Sequence, residues 1–259
     1  MRRAAALVIG NEILTGKVVE GNVAFLAKEL FVLGIRFERV IVCPDDPAQI
    51  AEDVNALRLK YDYVFTSGGV GPTHDDVTVP AIAAAFGVSL VRDPALVSRI
   101  RAHFGERTTD GHLRMAEMPA GARLLARDGS DWPVLQMANV FVMPGVPDIF
   151  RRKFALVRGQ LEASKSFVSG AIFAWADEGE IASTLASVEH QFEGVSVGSY
   201  PRFDDADHSV KVTFDGLSSA PVRAALLSCR QAIVAKLGEA SIVRVDAPED
   251  ASGEFADPE

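Results

Sequence analysis

Ser67-Gly68-Gly69-Val70-Gly71-Pro72-Thr73-His74-Asp75-Asp76-Val77-Thr78 is the stretch on which the reading of this chain turns. It follows a short apolar strand, Tyr63-Val64-Phe65-Thr66, and precedes a helix-like run from Val79 to Phe86. Its glycines and proline let backbone amides turn inward and approach a ligand closely. A hydroxyl and two adjacent carboxylates come next, where the following helix would start. Inward amides at a helix N-terminus suit an anionic phosphate. Carboxylates beside a phosphate make sense when a divalent cation bridges them, because bare like charges repel. The run reads as a phosphate-and-metal loop.

Working outward, residues 1 to about 160 alternate strand and helix as a parallel sheet requires. Arg3-Ile9 reads as a buried strand. Asn22 reads as the N-cap of a helix through Leu33, closed by Gly34. Phe37-Val42 is a second strand, and Pro47 to Lys60 a helix with proline in its first turn. Ser89-Val91 is a short strand, Pro94 to Phe104 a helix, and Gly105 to Leu113 a mobile polar loop. Pro133-Met137 and Asn139-Met143 are β segments, and Asp148 could cap a last helix to about Leu161. The expected fold is a three-layer α/β domain over residues 1-163, its sheet mostly parallel.

The pattern changes near Ser164-Lys165-Ser166. A strand over 167-175, a helix over 178-190, strands over 195-200 and 209-214, a helix over 221-237 and a strand over 241-245 follow. That order, βαββαβ, is the split arrangement of a small α+β domain, placed at 166-245. Residues 246-259, rich in Asp, Glu, Pro and Ala, read as an acidic disordered tail.

Composition narrows the class. With 259 residues, 48% hydrophobic and 24% charged, the chain is an ordinary globular protein. A net charge of -9 argues against nucleic acid as partner but leaves room for a small phosphorylated ligand. Cys43 and Cys229 read as buried free thiols of a reducing compartment. No stretch approaches the ~20 apolar residues of a membrane span, and Gly10-Asn11-Glu12 interrupts any leader-like start. A cytoplasmic protein without a membrane partner is expected.

In open α/β sheets the ligand lies beyond the carboxyl ends of the strands. Gly10 to Gly16 follows the first strand and carries Glu12. Pro44-Asp45-Asp46-Pro47 follows the second, the glycine loop the third, and Pro144-Gly145-Val146-Pro147 the last. Each feature has a plainer reading. Asp45 or Asp46 alone can cap the helix at Pro47, Asp76 the helix near Thr78, and Glu12 can be a solvated loop charge. Caps do not account for a carboxylate at successive strand ends beside a glycine cradle. His74, without a histidine one helical turn away, does not make a zinc site. Phe25 and Phe31 fit a core stripe. In the second domain, Gly198-Ser199-Tyr200-Pro201-Arg202 could touch an adenine ring or a phosphate, or simply end a strand, and Asp204-Asp205-Ala206-Asp207 reads as a solvated turn.

Together these residues resemble the molybdopterin-binding superfamily, the fold of the MogA and MoaB proteins. Gly68 to Thr78 matches its GGxGPTxxDxT signature, Gly10-x-Glu12-Ile13-Leu14-x-Gly16 its first loop, and Pro144 to Pro147 its PGxP turn. The branch most similar comprises the CinA amino-terminal region and the molybdopterin-binding-like domain of eukaryotic FAD synthases, whose second domain also looks like residues 166-245. The resemblance implies metal-dependent pyrophosphate hydrolysis of ADP-ribose or FAD. It implies catalytic roles for Asp45 and Asp76, and a divalent metal (Mg2+, Co2+, Ni2+ or Mn2+) held by Glu12, Asp75 and Asp76. Ser67, Gly68, Gly69, Gly71, Thr73, Pro144 and Gly145 would bind the phosphorylated ligand.

Two further readings stand beside it. One is molybdopterin binding or adenylylation in molybdenum cofactor biosynthesis, with the same loop on the pterin phosphate. The other is a non-catalytic nucleotide-binding protein, because Asn11 stands where the family usually has Asp and a lost carboxylate weakens the hold on a cation. The deamidase domain of full-length CinA proteins is not expected here, and a homo-oligomer is.

Overall fold

A computed structural model describes residues 1–126, 132–203 and 206–248. It divides into two compact units, the first ending at Ser164 and the second beginning at Lys165.

The first unit opens with β1 (Arg3–Ile9), a four-residue helical turn α1 (Asn11–Leu14), α2 (Asn22–Val32), β2 (Arg36–Cys43), α3 (Pro47–Arg58), β3 (Tyr63–Ser67) and α4 (Thr78–Phe86). It continues with β4 (Leu90–Arg92), α5 (Pro94–Phe104), α6 (Asp110–Arg114), β5 (Glu117–Pro119), β6 (Arg123–Leu125), β7 (Val134–Met137), β8 (Val140–Val142) and α7 (Pro147–Arg158). The main sheet has the order β2-β1-β3-β8-β7-β6. Its first four strands are parallel, and β7 and β6 add antiparallel pairs at one side.

Alternation along β1 explains the three layers. Ala4 and Ala6 point to one face, where Leu26, Leu30, Phe65, Phe141, Phe150 and Phe154 close a core beneath α2 and α7. Ala5, Leu7 and Ile9 point to the other, against Ile50 and Val54 of α3 and Ile82 of α4. Period-two side chains buried on both faces give the nearly continuous apolar run Ala4–Ile9 that a central parallel strand needs.

Three expectations change here. Asn22 is not a cap: the Glu20 carboxylate accepts the Asn22 and Val23 amides, and the Asn22 side chain is buried elsewhere. Val146, not Asp148, occupies the N-cap position of α7, with Pro147 at its first position. Residues 105–113 are not a structureless loop. A 3-10 turn at Gly105–Arg107 leads into α6, where Thr109 and His112 form a capping box and His112 stacks on Phe104. The short strand near residue 90 also pairs with β5 in a separate two-stranded sheet, outside the main one.

The second unit comprises β9 (Val168–Ala174), α8 (Glu178–Gln191), β10 (Val195–Pro201), β11 (Val210–Gly216), α9 (Ser219–Leu237) and β12 (Ile242–Asp246). Its antiparallel sheet, ordered β10-β11-β9-β12, carries its own core of Ile172, Val212, Phe214, Leu226 and Ile233. Asp246 ends β12 and Pro248 is buried with its carbonyl accepting from Arg223, so the first residues assigned to an acidic tail belong to the folded unit. The remainder of that tail, 249–259, and Asp204-Asp205 lie outside the described residues. Among the described residues no helix is long and apolar enough to cross a membrane.

Candidate functional site

Because β2, β1, β3 and β8 run parallel and in register, the segments that follow them leave from one edge of the sheet. Close packing shapes that edge. Gly68 has φ +107°, and a Cβ there would lie 2.1 Å from the Ile9 carbonyl oxygen. Gly69 has φ +63°, and a Cβ would lie 2.3 Å from the Thr78 hydroxyl. Both positions demand glycine twice over, by backbone region and by space. Gly145 closes on the same point, since a Cβ on it would come within 3.3 Å of Gly68 Cα.

Buried polar groups then lock the loop. Thr78 donates its hydroxyl to the Gly68 carbonyl at 2.8 Å and its amide to the Gly69 carbonyl at 3.1 Å. Asn22, 4% exposed, donates from its side-chain amide to Ser67 Oγ at 2.9 Å and to the Gly145 carbonyl at 2.8 Å. The glycine loop, the start of α2 and the Pro144-Gly145 turn are therefore one hydrogen-bonded assembly.

The carboxylates separate by role. Asp46 caps α3, accepting the amides of Ala48 and Gln49. Asp45 accepts the Asn11 amide at 2.8 Å and so joins the segments after β2 and β1. Glu12 folds back on Gly10, where a Cβ would lie 2.5 Å from its Oε1. Asp76 does not cap α4, whose cap position holds Val77; it accepts the Thr73 amide at 2.8 Å and the Thr73 hydroxyl. A Cβ on Gly71 would lie 2.6 Å from Asp76 Oδ2, which explains that glycine. Asp75 is exposed, and its carboxyl is held below the usual range, first by the Thr73 hydroxyl, then by its own backbone amide, with His74 adding a smaller effect. In the geometry, both the amide and the hydroxyl of Thr73 go to Asp76.

Among the described residues no three His, Cys, Asp or Glu side chains converge as a metal-ligating group. The expected joint action of Glu12 with Asp75 and Asp76 is thus not preformed. Glu12 and Asp45 belong to the segments after β1 and β2, and Asp75 and Asp76 to the glycine loop. The donor set is carboxylate oxygen, which fits a hard divalent cation. A cation of the magnesium class typically takes one or two carboxylates and completes its shell with phosphate oxygens and water.

Beside the loop lies a shallow, open pocket. Gly69, Val70, Gly71 and Asp76 form one side, and Arg114, Met115, Glu117 and Trp132 the other. Of the residues singled out from the sequence, Gly69, Gly71 and Asp76 line it. Glu12, Asp45, Ser67, Gly68, Thr73, Asp75, Pro144 and Gly145 do not; Ser67, Gly68, Thr73 and Gly145 support the loop instead. Sequence reasoning missed Asn22, Arg114 and Trp132. Trp132 is one of only two tryptophans, the one signal that could have drawn notice. Arg114 directly follows the segment read as a loop, and nothing local marks it. In the second unit Tyr200 is 55% exposed at the end of β10.

Comparison with known proteins adds a family. Residues 5–163 match the family described as "Probable molybdopterin binding domain", and residues 166–246 that described as "FAD synthase, middle domain". A "Probable FAD synthase" of Caenorhabditis briggsae is 32% identical over 260 residues, covering 90% of this chain and 50% of that protein. A "CinA-like protein" of Syntrophus aciditrophicus is 34% identical over 223 residues, covering 78% of this chain and 52% of that protein. The crystal structure of the protein CinA from Thermoplasma acidophilum, described as of unknown function, has 30% identity and a TM-score of 0.57, over 61% of this chain and 97% of that one. The chain spans about half the length of the curated relatives it matches.

Proposed function

The chain belongs to the probable molybdopterin binding domain family, joined here to a FAD synthase middle domain, and from that premise we propose that it hydrolyses the phosphoric anhydride of an ADP-containing dinucleotide such as ADP-ribose or FAD. One observation carries the reading: Gly69, Val70, Gly71 and Asp76 line one open pocket, so a glycine-rich loop and an acidic residue meet there. The name FAD synthase borne by relatives supports a dinucleotide as ligand.

The chain's own groups divide the task. Loop amides, freed by Gly69 and Gly71, would hold the diphosphate and orient its bridging oxygen. Thr73 fixes Asp76 at the pocket wall by two hydrogen bonds. Asn22 and Thr78 keep the loop from moving while the ligand is bound. A divalent cation held by Asp76 with the ligand's phosphate oxygens would offset charge on the diphosphate and favour attack by water. In the reaction a water oxygen joins one phosphorus, the bridging P–O bond breaks, and the products are two phosphomonoesters, with the released proton passing to solvent.

The test is a turnover screen of ADP-ribose, FAD and related dinucleotides, each with Mg2+, Mn2+, Co2+ and Ni2+. Cation-dependent release of two phosphomonoesters is the expected result. Saturable nucleotide binding without hydrolysis under every cation would overturn the hydrolase and leave a nucleotide-binding protein.

A further inference from the structure

The wall of the pocket opposite the glycine loop has a chemistry of its own. Trp132 and Met115 are each half-buried, packed on the small cluster of Leu96, Ile100 and Ala116, yet both also line the pocket. One side of each is thus fixed by packing and another is left to a ligand. An indole held in this way is a stacking surface for a planar ring, and a thioether beside it adapts to a ring's edge.

The charged groups of the pocket are unequally committed. Glu117 is engaged by Arg92, whose Nη2 lies 2.9 Å from its Oε1. Asp76 is engaged by Thr73. The Arg114 guanidinium, in contrast, makes no side-chain hydrogen bond or ion pair with any other described residue. An arginine placed at a pocket wall with its fork unspent is suited to the paired oxygens of a phosphate.

We infer that Trp132, with Met115 beside it, stacks on the adenine of the ADP half common to ADP-ribose and FAD, and that Arg114 binds a phosphate of that half. The assignment rests on the dinucleotide reading above and adds which residues select the ligand. Trp132 selects for the base and Arg114 for the anion, so the glycine loop need not distinguish one phosphorylated compound from another. Both are binding residues, and neither is given a part in breaking the anhydride.

The experiment uses the full chain carrying Trp175→Phe, which leaves Trp132 as the only indole. ADP, a ligand without the second half of the substrate, is titrated with Mg2+ while emission is followed, and inorganic diphosphate is titrated in parallel by calorimetry. ADP should quench the emission saturably. Trp132→Leu, in the otherwise native chain and read by calorimetry, should weaken ADP about 10-fold while diphosphate binds as before, the scale expected for one stacked base. Arg114→Gln should weaken both ligands about 10-fold. Retained diphosphate binding by the leucine variant shows that its pocket is folded. Unquenched emission at saturating ADP, or equal ADP affinity in the leucine variant, overturns the assignment. A protein that hydrolyses nothing but shows this pattern keeps the assignment and loses only the hydrolase. A hydrolase without the pattern keeps its activity and loses the assignment.

Discussion

The side-chain amide of Asn22 donates to the Gly145 carbonyl at 2.8 Å, binding the first residue of α2 to the turn that follows β8. Its second amide hydrogen goes to Ser67 Oγ, the last side chain of β3, at 2.9 Å. One small buried side chain thus holds together segments that lie 45 and 123 residues away along the chain. The glycine loop starts at the point it secures.

Asn22→Asp keeps the shape and removes both donors, setting a carboxylate against the Gly145 carbonyl. Each net hydrogen bond is worth ~1 kcal/mol, and an unpaired buried group costs ~1–3 kcal/mol more. A loss of about 3 kcal/mol is expected by denaturant unfolding, with weaker ligand binding. A variant as stable as the parent would show that the loop is held by its other contacts.

Gly68 and Gly87 offer a matched pair, because both have positive φ but only one is crowded. A Cβ on Gly68 would strike the Ile9 carbonyl oxygen, whereas nothing lies within 4 Å of one on Gly87, the left-handed end of α4. Gly87→Ala should cost about 1 kcal/mol, the backbone penalty alone. Gly68→Ala should cost at least about 3 kcal/mol by the same measurement, since backbone must move as well. Equal losses would mean that the loop shifts freely away from β1.

Asp76→Ala should lower dinucleotide turnover by 10-fold or more, the scale seen when groups supporting a metal are removed. The fold should survive, because the lost partner is Thr73 in the same exposed turn, at a cost of ~1–2 kcal/mol. Turnover and thermal melting are to be measured on one preparation. Unchanged turnover with intact melting would reduce Asp76 to a loop-shaping residue.

Burial pushes both cysteine thiols up to about 12 from an ordinary 9.0, with Asp53, Asp45 and Asp46 adding to the effect on Cys43. The sign follows from proton counting. Above pH 9 the unfolded chain loses these protons while the folded chain keeps them, so stability falls between about pH 9 and 12. Cys43→Ala and Cys229→Ala should each flatten this alkaline decline in denaturant midpoints recorded against pH. A thiol reagent at pH 8 should label the denatured protein at both cysteines and the native protein hardly at all.

Much of the architecture was legible in local pattern. The apolar run Ala4–Ile9, the βα alternation and the βαββαβ order of the second unit follow from side-chain period and turn residues, and the observed elements agree within a few positions. The glycine loop was legible for the same reason, since Gly68 and Gly69 announce a backbone that other residues resist. The polar residues were harder to read. Asn22 and Asp76 both stand where a capping residue belongs, and propensity cannot tell a cap from a side chain recruited by another strand end. Asp46 shows the opposite outcome from an adjacent aspartate, capping α3 while Asp45 reaches the Asn11 amide.

What the sequence by itself determined is therefore the succession of elements, the layers, and the place of the glycine loop, because hydrophobic period and glycine chemistry act over a few residues. Only the tertiary structure decided which partner each polar side chain takes. It brought Arg114 and Trp132 to the pocket and kept Glu12 and Asp45 off its lining. The physical reason is that a hydrogen bond or a pocket wall depends on ångström-scale approach between segments far apart in the chain. That approach is set by how the sheet and helices pack, and no window of sequence contains it.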